Sequence, residues 1–554
     1  PIGPEPGSKS RLPAFVRTFL AKPFGRGLIF ALILIVMSVV SIMLVFPVRI
    51  TPASAPADRF SAERAMAHLP IIAREAHPSG SPAQARVRDY LLETLSAMGV
   101  RTEVQRTRGI ENVIAYLPGK APTGAILVLT HYDSVPAGPG AADNGSGVAA
   151  LLEAMRALAA GPAPRNDLIV LFDDGEEIGP GGPFTGTRAF ISEHPRMTDV
   201  KVAISLDTAV NGPISTNETG PDNGWMVQAL ARAFTGGAWT SLSGGGDYDY
   251  SRFREAGIQG LALEANYPFK EQHTPFDLPE VVRPASVQQM GEQTLAIVRE
   301  LGGLDLSNPQ GEKEIWFTLP VLGFFHYPQA WTLPLAITAG LLLALAIGLA
   351  LWRGFASWRG LVIGLGASLG AAAISAVGIG ALWSRVPGLT GWKTSAWPEW
   401  PELIPPYGGL VFGVFGLLVL GLTVAVYVLA RRRSGRPDFS LAGLVPFFVL
   451  AVAVAVGAPR GAYFSIWPVL AGSVVWIVAA FMGGSRRAWT VDLAALLTAA
   501  LLILFVLPLL PGVFMSDGFK SIMILAAVWA LVLAIVLPAV DGRPAQTAVR
   551  NGRG

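Results

Sequence analysis

The sequence contains no cysteine among its 554 residues. This absence excludes disulfide bonds, thiol catalysis and thiolate-bound zinc, so His, Asp and Glu side chains would have to hold any metal ion. Histidine is also scarce, with six residues. Two of them, His131 and His273, lie in motifs rich in carboxylates. We interpret the other four as ordinary surface or core residues, namely His68, His77, His194 and His326.

Charged residues are few as well. They make up 15% of the chain, whereas 51% is hydrophobic and the mean hydropathy is +0.47, which is too apolar for a soluble protein of this length. The net charge is only +3, and the basic residues form short clusters beside apolar runs. This pattern predicts a membrane protein of two or more units with the lipid bilayer as a partner, and it argues against nucleic-acid binding.

The N-terminal part predicts an exported domain. Residues 1–27 are polar and basic, and residues 28–46 are long enough to cross a bilayer as an anchor helix. Because basic flanks stay in the cytoplasm, we expect the domain at 56–305 outside the membrane. The alternative is a cleaved signal peptide with a site at Ala53-Ser54-Ala55, although the apolar run exceeds the roughly 7 to 15 residues typical of such sequences.

The C-terminal part predicts a membrane domain. After a linker and interfacial segment at 306–329, we expect about seven transmembrane helices at 330–541 and a cytoplasmic tail at 542–554. Arginine clusters follow alternate apolar runs, so both termini are predicted to be cytoplasmic. The excess of Arg over Lys is typical of a GC-rich bacterial genome. We therefore expect the cell inner membrane, with residues 56–305 on the periplasmic side.

Residues 56–305 show the alternation of an α/β domain. Helical spacing covers Ala62–Ala76 and Ala83–Met98. Short β-rich runs follow, separated in the later part by helical segments, which predicts a mixed, mostly parallel sheet flanked by helices. These runs are Asn112–Tyr116, Ala125–Thr130, Asp167–Phe172 and Val200–Leu206.

The candidate site residues lie at or just beyond the ends of these strands. Open α/β sheets place their sites along the rim formed by strand ends, so these side chains are expected to converge there. They comprise two imidazoles and several carboxylates, a set that suits zinc and, because carboxylates are in surplus, two cations. They are His131, Asp133, Asp143, Glu176, Glu177, Asp207 and His273. We interpret Asp173 and Asp174, inside a strand end, as structural.

The residues themselves suggest a division of roles. Asp143 is the natural candidate to bridge two metal ions. One member of the Glu176-Glu177 pair can bind metal, while the other remains free to take a proton from water. Two metal ions about 3.5 to 4 Å apart make water more acidic and polarise a carbonyl group, so the pattern predicts hydrolysis of an amide.

Five motifs, HYDS, AADNGSG, DDGEEIG, SLDT and HTPFD, resemble the co-catalytic zinc aminopeptidases, whose relatives include glutamate carboxypeptidases, glutaminyl cyclases and the transferrin receptor ectodomain. The membrane layout is similar to that of endoplasmic reticulum metallopeptidases. The resemblance implies a zinc-exopeptidase-like fold and two zinc ions per chain. It assigns one zinc to Asp143, Glu177 and His273 and the other to Asp143, His131 and Asp207.

The same resemblance implies further roles. Glu176 would be the general base, Asp133 would orient His131, and the Asp143-Asn144 peptide bond would be cis. Tyr248 or Tyr250 would stabilise an oxyanion. Together these roles predict a membrane-anchored, zinc-dependent exopeptidase that acts on peptides, most simply an aminopeptidase.

Three alternatives remain open at this point. A glutaminyl-cyclase-like acyltransferase could share the ligand positions. A carboxypeptidase could use Arg252 or Arg254 to hold a substrate carboxylate. The domain could also be an inert receptor or scaffold. The sequence predicts neither the oligomeric state nor the side-chain preference.

Overall fold

The computed structural model describes residues 23–44, 49–210, 212–236, 247–265, 271–319, 322–385, 408–482, 487–507 and 522–541. The predicted cytoplasmic tail at 542–554 and residues 1–22 of the predicted N-terminal segment lie outside this described part of the chain.

Within the described residues, helices and strands alternate first and helices alone follow. The helices are α1 (Pro23–Met43), α2 (Ala62–Met66), α3 (Leu69–Ile72), α4 (Pro82–Ala97), α5 (Ser146–Ala159), α6 (Thr185–Glu193), α7 (Gly224–Ala233), α8 (Asp249–Glu255), α9 (Pro284–Gly303), α10 (Thr332–Trp352), α11 (Trp358–Trp383), α12 (Gly408–Ala430), α13 (Arg436–Gly457), α14 (Tyr463–Met482), α15 (Arg487–Val506) and α16 (Ile522–Val540). The strands are β1 (Arg101–Thr107), β2 (Ile110–Leu117), β3 (Ala125–His131), β4 (Asp167–Asp173), β5 (Val200–Leu206), β6 (Ile214–Thr219), β7 (Gln259–Ala265), β8 (Glu314–Leu319) and β9 (Gly323–Pro328).

Strands β1 to β7 form one mixed sheet in the order β1-β2-β4-β3-β5-β7-β6. The four central strands β4, β3, β5 and β7 are parallel, and antiparallel strands flank them on both sides. This confirms the predicted mixed, mostly parallel α/β sheet. Since the central strands run in one direction, their carboxyl ends lie on the same edge of the sheet.

Helices cover both faces of the sheet. Helices α4, α5, α7 and α9 pack on one face, and α6 and α8 contribute Phe190 and Phe253 to the core on the other. All seven residues of β3 are buried, as expected for a central parallel strand covered on both sides. This double cover holds the strand ends, and the side chains they carry, in fixed positions.

The predicted helix over Ala62–Ala76 is instead two short helices, α2 and α3. Pro70 occupies the first turn of α3, where its missing N–H is tolerated, but the same residue inside one continuous helix would remove a hydrogen bond. The prediction of one helix was therefore wrong at this point, whereas the helix predicted over Ala83–Met98 is present as α4.

The segment predicted as linker and interfacial contains a β-hairpin, β8-β9, which the sequence analysis did not predict. Its two faces meet different parts of the protein. On one face, Phe317 stacks on Tyr463 of α14 with ring centroids 4.4 Å apart. On the other, Phe324 contacts Phe234, just beyond α7, at 5.7 Å. Successive side chains of a strand point to opposite faces of the hairpin. The hairpin therefore contacts the α/β unit on one face and the membrane helices on the other, and so joins the two.

Seven helices of the described chain, α10 to α16, are long and apolar enough to cross a membrane, as the sequence predicts. The helix predicted from Leu441 begins earlier, at Arg436, with Pro437 in its first turn. Helix α1 packs against α15 and α16, and Arg26 pairs with Asp492 at 3.1 Å. The chain is therefore organised as a multi-pass membrane protein in which α1 is part of the helical bundle.

Candidate metal centre

All four central strands lead into one site. His131 is the last residue of β3, Asp207 follows β5 directly, and Glu176 and Glu177 lie shortly after β4. His273 lies eight residues beyond the end of β7. The topology predicted this convergence, because parallel strands bring their carboxyl ends to the same edge.

Two groups of donors lie within metal-binding reach, and Asp143 belongs to both. His131, Asp143 and Asp207 form one group, and Asp143, Glu177 and His273 form the other, each with donor atoms within 4.8 Å of one another. His131 Nε2 is 3.3 Å from Asp143 Oδ1, and His273 Nε2 is 3.3 Å from Asp143 Oδ2. The two oxygens of Asp143 therefore face different imidazoles, as a bridging carboxylate requires.

Asp143 lies in a tight turn between β3 and α5. Residues Ala141–Gly145 form a single π-helical turn whose regular geometry is broken at Asp143 and Asn144. The Asp143-Asn144 peptide bond is cis, as the resemblance implied. The Asn144 side chain donates to Thr130 Oγ1 at 2.9 Å and to the Leu206 carbonyl at 2.8 Å. The turn is thus attached to β3 and to β5, both of which lead into the site.

His131 has its proton position fixed by the backbone. Its Nδ1 lies 3.2 Å from the Asp133 carbonyl oxygen, while the nearest Asp133 carboxylate oxygen is 3.6 Å away. Donation from Nδ1 to that carbonyl leaves Nε2, which faces Asp143, with a lone pair for a metal ion. Both the main-chain carbonyl and the carboxylate of Asp133 therefore lie beside His131 Nδ1.

The titratable groups are strongly perturbed. Burial raises the pKa of Glu176 and of Asp207 well above the usual range. Burial alone would lower the pKa of His273, but hydrogen bonds to Asp143 and Glu177 raise it to about 10. For Asp143, bonds to His131 and His273 outweigh burial and lower the pKa. Carboxyl groups buried this densely are stable when they are protonated or when positive charge compensates them.

The donor set fits zinc. It offers two imidazole nitrogens and three carboxylates without sulfur, and one carboxylate is shared between the two groups. Imidazole with carboxylate is a common zinc ligand combination, and the shared carboxylate suits a pair of ions. Glu176 is in neither group, although its Oε2 lies 3.9 Å from His131 Nε2. Its carboxyl group therefore lies beside the donors without belonging to either group.

Several contributors were not found from the sequence. Gln272 donates from Nε2 to Asp143 Oδ2 at 2.7 Å. Asp277, fully buried, accepts hydrogen bonds from the N–H groups of Ala142 and Asp143 at 2.7 and 3.2 Å. Asp277 is the last letter of the HTPFD motif, so a signal was present, but nothing in the sequence shows which groups its carboxylate meets.

Beneath the site lies a second pair of carboxyl groups. The Thr187 hydroxyl oxygen is 3.0 Å from Asp173 Oδ2 and 2.6 Å from Asp249 Oδ1. Burial raises the pKa of both carboxyl groups. The charge of Asp249 raises the pKa of Asp173 further, whereas a hydrogen bond with Asp173 lowers that of Asp249. Asp173 and Asp174 are outside both metal groups, consistent with the structural role we inferred for them.

Other candidates from the sequence are occupied elsewhere. Tyr250 is buried and donates its hydroxyl to the Ile258 carbonyl at 3.3 Å, which leaves Tyr248 as the candidate for oxyanion binding. Arg252 pairs with Asp247 and Glu255, and Arg254 pairs with Glu218. Both guanidinium groups therefore already face carboxylates. The carboxypeptidase alternative needs one of them to hold the C-terminal carboxylate of a substrate.

The fold and the donors together describe an α/β unit with a candidate two-metal site, attached to membrane helices. Residues 112–298 match the model of Peptidase family M28. The match covers the strands and loops that carry the donors from His131 to His273. It confirms the resemblance that the five motifs predicted for this segment.

The curated relatives are membrane proteases and metallopeptidases. Endoplasmic reticulum metallopeptidase 1 of Mus musculus is 32% identical over 216 residues, which is 35% of this chain and 23% of that protein. Vacuolar membrane protease of Candida albicans is 30% identical over 280 residues, 46% of this chain and 31% of that protein. The matches thus span less than a third of the length of either relative.

Solved structures with similarity to the chain include a zinc aminopeptidase from Bacillus subtilis, with 16% identity and a TM-score of 0.39. This similarity covers 44% of this chain and 95% of that chain. A glutaminyl cyclase from Porphyromonas gingivalis has 20% identity and a TM-score of 0.38, over 44% of this chain and 99% of that one.

Proposed function

We propose that this protein is a membrane-anchored, two-zinc aminopeptidase of the extracytoplasmic side of the cell inner membrane. The observation that carries the proposal is the shared carboxylate of Asp143 between two donor groups, with the uncommitted Glu176 beside them. One zinc would be held by Asp143, Glu177 and His273. The other would be held by Asp143, His131 and Asp207.

The bound zinc ions would supply Lewis acidity, which polarises a peptide carbonyl and makes water more acidic. The protein's own groups do the rest. Glu176 takes a proton from the attacking water and returns it to the leaving amine as the C–N bond breaks, giving a carboxylate and an amine. Burial raises the pKa of its carboxyl group above the usual range.

The proposed choice of substrate end rests on the pairing of two arginines. Arg252 and Arg254, the candidates to hold a C-terminal carboxylate, already face Glu255 and Glu218. A C-terminal carboxylate therefore finds no unpaired guanidinium in these two side chains, which favours an aminopeptidase over a carboxypeptidase.

The membrane orientation is part of the proposal. The helix ends that carry Arg353, Arg431, Arg436 and the Arg26–Asp492 pair all lie on one side of the bundle, by alternation of the spans. By the positive-inside rule this is the cytoplasmic side, and the α/β unit is on the other.

The test uses the purified full-length chain with zinc and a panel of aminoacyl fluorogenic substrates, together with peptides followed by mass spectrometry. Release of the first residue from peptides with a free N-terminus, and no cleavage when the amine is acetylated, is the expected result. Loss of ammonia from an intact peptide beginning with Gln would identify a cyclase instead. If zinc-loaded protein turned over no peptide, the alternative of a receptor or scaffold would be favoured.

A further inference from the structure

Asp277 connects two of the three segments that carry the ligands of one proposed zinc, the Asp143 turn and the His273 loop. Besides the two N–H groups that its carboxylate accepts, its main-chain carbonyl accepts the N–H of Ala141 at 3.1 Å. Three consecutive N–H groups at the start of the Ala141–Gly145 turn are therefore satisfied by this one residue. The first N–H groups of any helical turn have no partner within it, so the turn depends on an outside acceptor.

The two loops also touch through their backbones. A side chain at Gly138 would place its Cβ 2.1 Å from the Thr274 carbonyl oxygen, so only glycine fits there. Gln272 and His273 contact Asp143 from the same loop, through bonds of 2.7 and 3.3 Å. The position of the His273 loop is thus determined jointly with that of the Asp143 turn.

A second buried carboxylate holds the loop that carries Glu176 and Glu177. Asp133, fully buried, accepts the N–H groups of Glu176 at 3.1 Å and of Glu177 at 3.3 Å. Neither Asp133 nor Asp277 belongs to either donor group. Each of these carboxylates bonds the main chain of two consecutive residues, one of which is a proposed zinc ligand.

We propose that Asp277 is a positioning residue that sets the zinc affinity of the site by holding the Asp143 turn against the His273 loop. This inference rests on the proposed function, since it concerns the same zinc ions. A metal site needs its donors held to within about 0.5 Å, and here that precision depends on two backbone hydrogen bonds to a buried carboxylate. Asp133 fixes the Glu176-Glu177 segment in the same way.

The experiment compares Asp277→Asn with the wild-type chain. Asn keeps the shape but replaces one acceptor oxygen by an NH₂ group that faces a backbone N–H, so one bond is lost and two donors oppose each other. We expect the zinc affinity, measured by chelator competition on the full-length protein, to fall about 10- to 100-fold. At saturating zinc, kcat should recover to within a few-fold, because Glu176 is unchanged.

Asp167→Asn is the matched control. Asp167 also accepts a backbone N–H, from Gly119 at 2.8 Å, but it lies at the start of β4, at the opposite end of the strand from the site. Its variant should bind zinc as the wild type does. Equal zinc affinity in wild type, Asp167→Asn and Asp277→Asn would overturn the proposal.

A second variant decides the matter if Asp277→Asn does not fold. Asp277→Glu keeps the charge and both acceptor oxygens but lengthens the side chain, so a folded variant with reduced zinc affinity supports the role. A folded Asp277→Glu with wild-type affinity contradicts it. Failure of the wild-type protein to bind zinc would instead reject the proposed function itself, so the two failures are distinguishable.

Discussion

The α/β unit and the membrane bundle bury polar groups in opposite ways. In the α/β unit, the buried carboxylates and imidazoles concentrate at the end of the sheet, where they face one another across the proposed zinc positions. In the described part of the bundle, the buried ion pair Arg436–Asp492 lies near the ends of α13 and α15, and buried polar residues deeper in the helices include Ser368, Ser473 and Thr498. We therefore expect the chemistry in the α/β unit and placement in the membrane from the helical bundle.

Three buried hydroxyl groups in the membrane helices bond to the main chain of their own helix. Ser368, Ser473 and Thr498 each donate to the main-chain carbonyl four residues earlier, at 2.6 to 2.9 Å. Such bonds satisfy each of these three hydroxyls within its own helix. Membrane transporters usually place ionisable groups at mid-membrane, so anchoring is the better interpretation of this bundle.

The largest expected effect is in the α/β unit. Glu176→Gln removes the group that accepts a proton and should lower kcat by about 10² to 10⁴, because general bases contribute rate enhancements of that order. Zinc content should not change, since Glu176 is in neither donor group. Measurement of kcat and of zinc per chain on the same preparation checks both expectations. Undiminished turnover would contradict the assignment of Glu176 as the general base.

The second largest expected effect is a loss of stability in the membrane region alone. Asp492 faces Arg436 at 2.5 Å and Arg26 at 3.1 Å, and the first of these pairs is buried. Asp492→Asn leaves a buried guanidinium without its carboxylate and should reduce the free energy of unfolding by about 3 to 5 kcal/mol. Thermal unfolding in detergent measures the loss, and kcat per folded molecule should stay unchanged.

The control for Asp492 is the exposed pair Arg196–Asp199 of the α/β unit. Asp199→Asn should barely change stability, because solvent screens exposed ion pairs. If Asp492→Asn lowered kcat of the folded protein while stability was intact, the bundle would take part in catalysis and the contrast between the two regions would fail.

Removal of metal should have an intermediate effect. A ligand present at about 100 times its Kd stabilises the folded state by about 2.7 kcal/mol, so dialysis against a chelator should lower the unfolding midpoint as well as abolish activity. The Asp143→Asn protein should show no such response to chelator. An unchanged midpoint in wild-type protein would mean that no metal is bound there.

The smallest effect concerns pH. Burial, followed by the charge of Asp133, raises the pKa of Asp174 to about 6. A carboxyl group that binds its proton more tightly when folded stabilises the protein while protonated, and this contribution is lost as pH rises from about 4 through about 6. Asp174→Asn should therefore flatten the dependence of the unfolding midpoint on pH over this range. An unaltered slope would show that Asp174 is already ionised.

The sequence predicted the elements that depend on local pattern. The apolar runs of β3, β4 and β5 are continuous because both faces of the sheet are covered, and the membrane helices exceed the length of any strand. His131, Glu177 and Asp207 followed from the same logic, since they lie at or shortly after predicted strands, whereas Asp143 and His273 lie in loops and were recognised by their motifs. The family motifs then assigned their roles.

What the sequence did not predict depends on contacts between distant segments. Strand β1 has the polar sequence RTEVQRT and pairs only with β2 at the edge of the sheet, so it carries no continuous apolar run. The β8-β9 hairpin divides its side chains between two different partners, which no local pattern reveals. Asp277 bonds a turn more than 130 residues earlier in the chain.

The central claim is that Asp143 bridges two zinc ions, and metal analysis of the purified full-length protein tests it most directly. The account predicts two zinc ions per wild-type chain, one in Asp207→Asn and none in Asp143→Ala. A wild-type chain without zinc, or an Asp143→Ala chain that retains both ions, would contradict it.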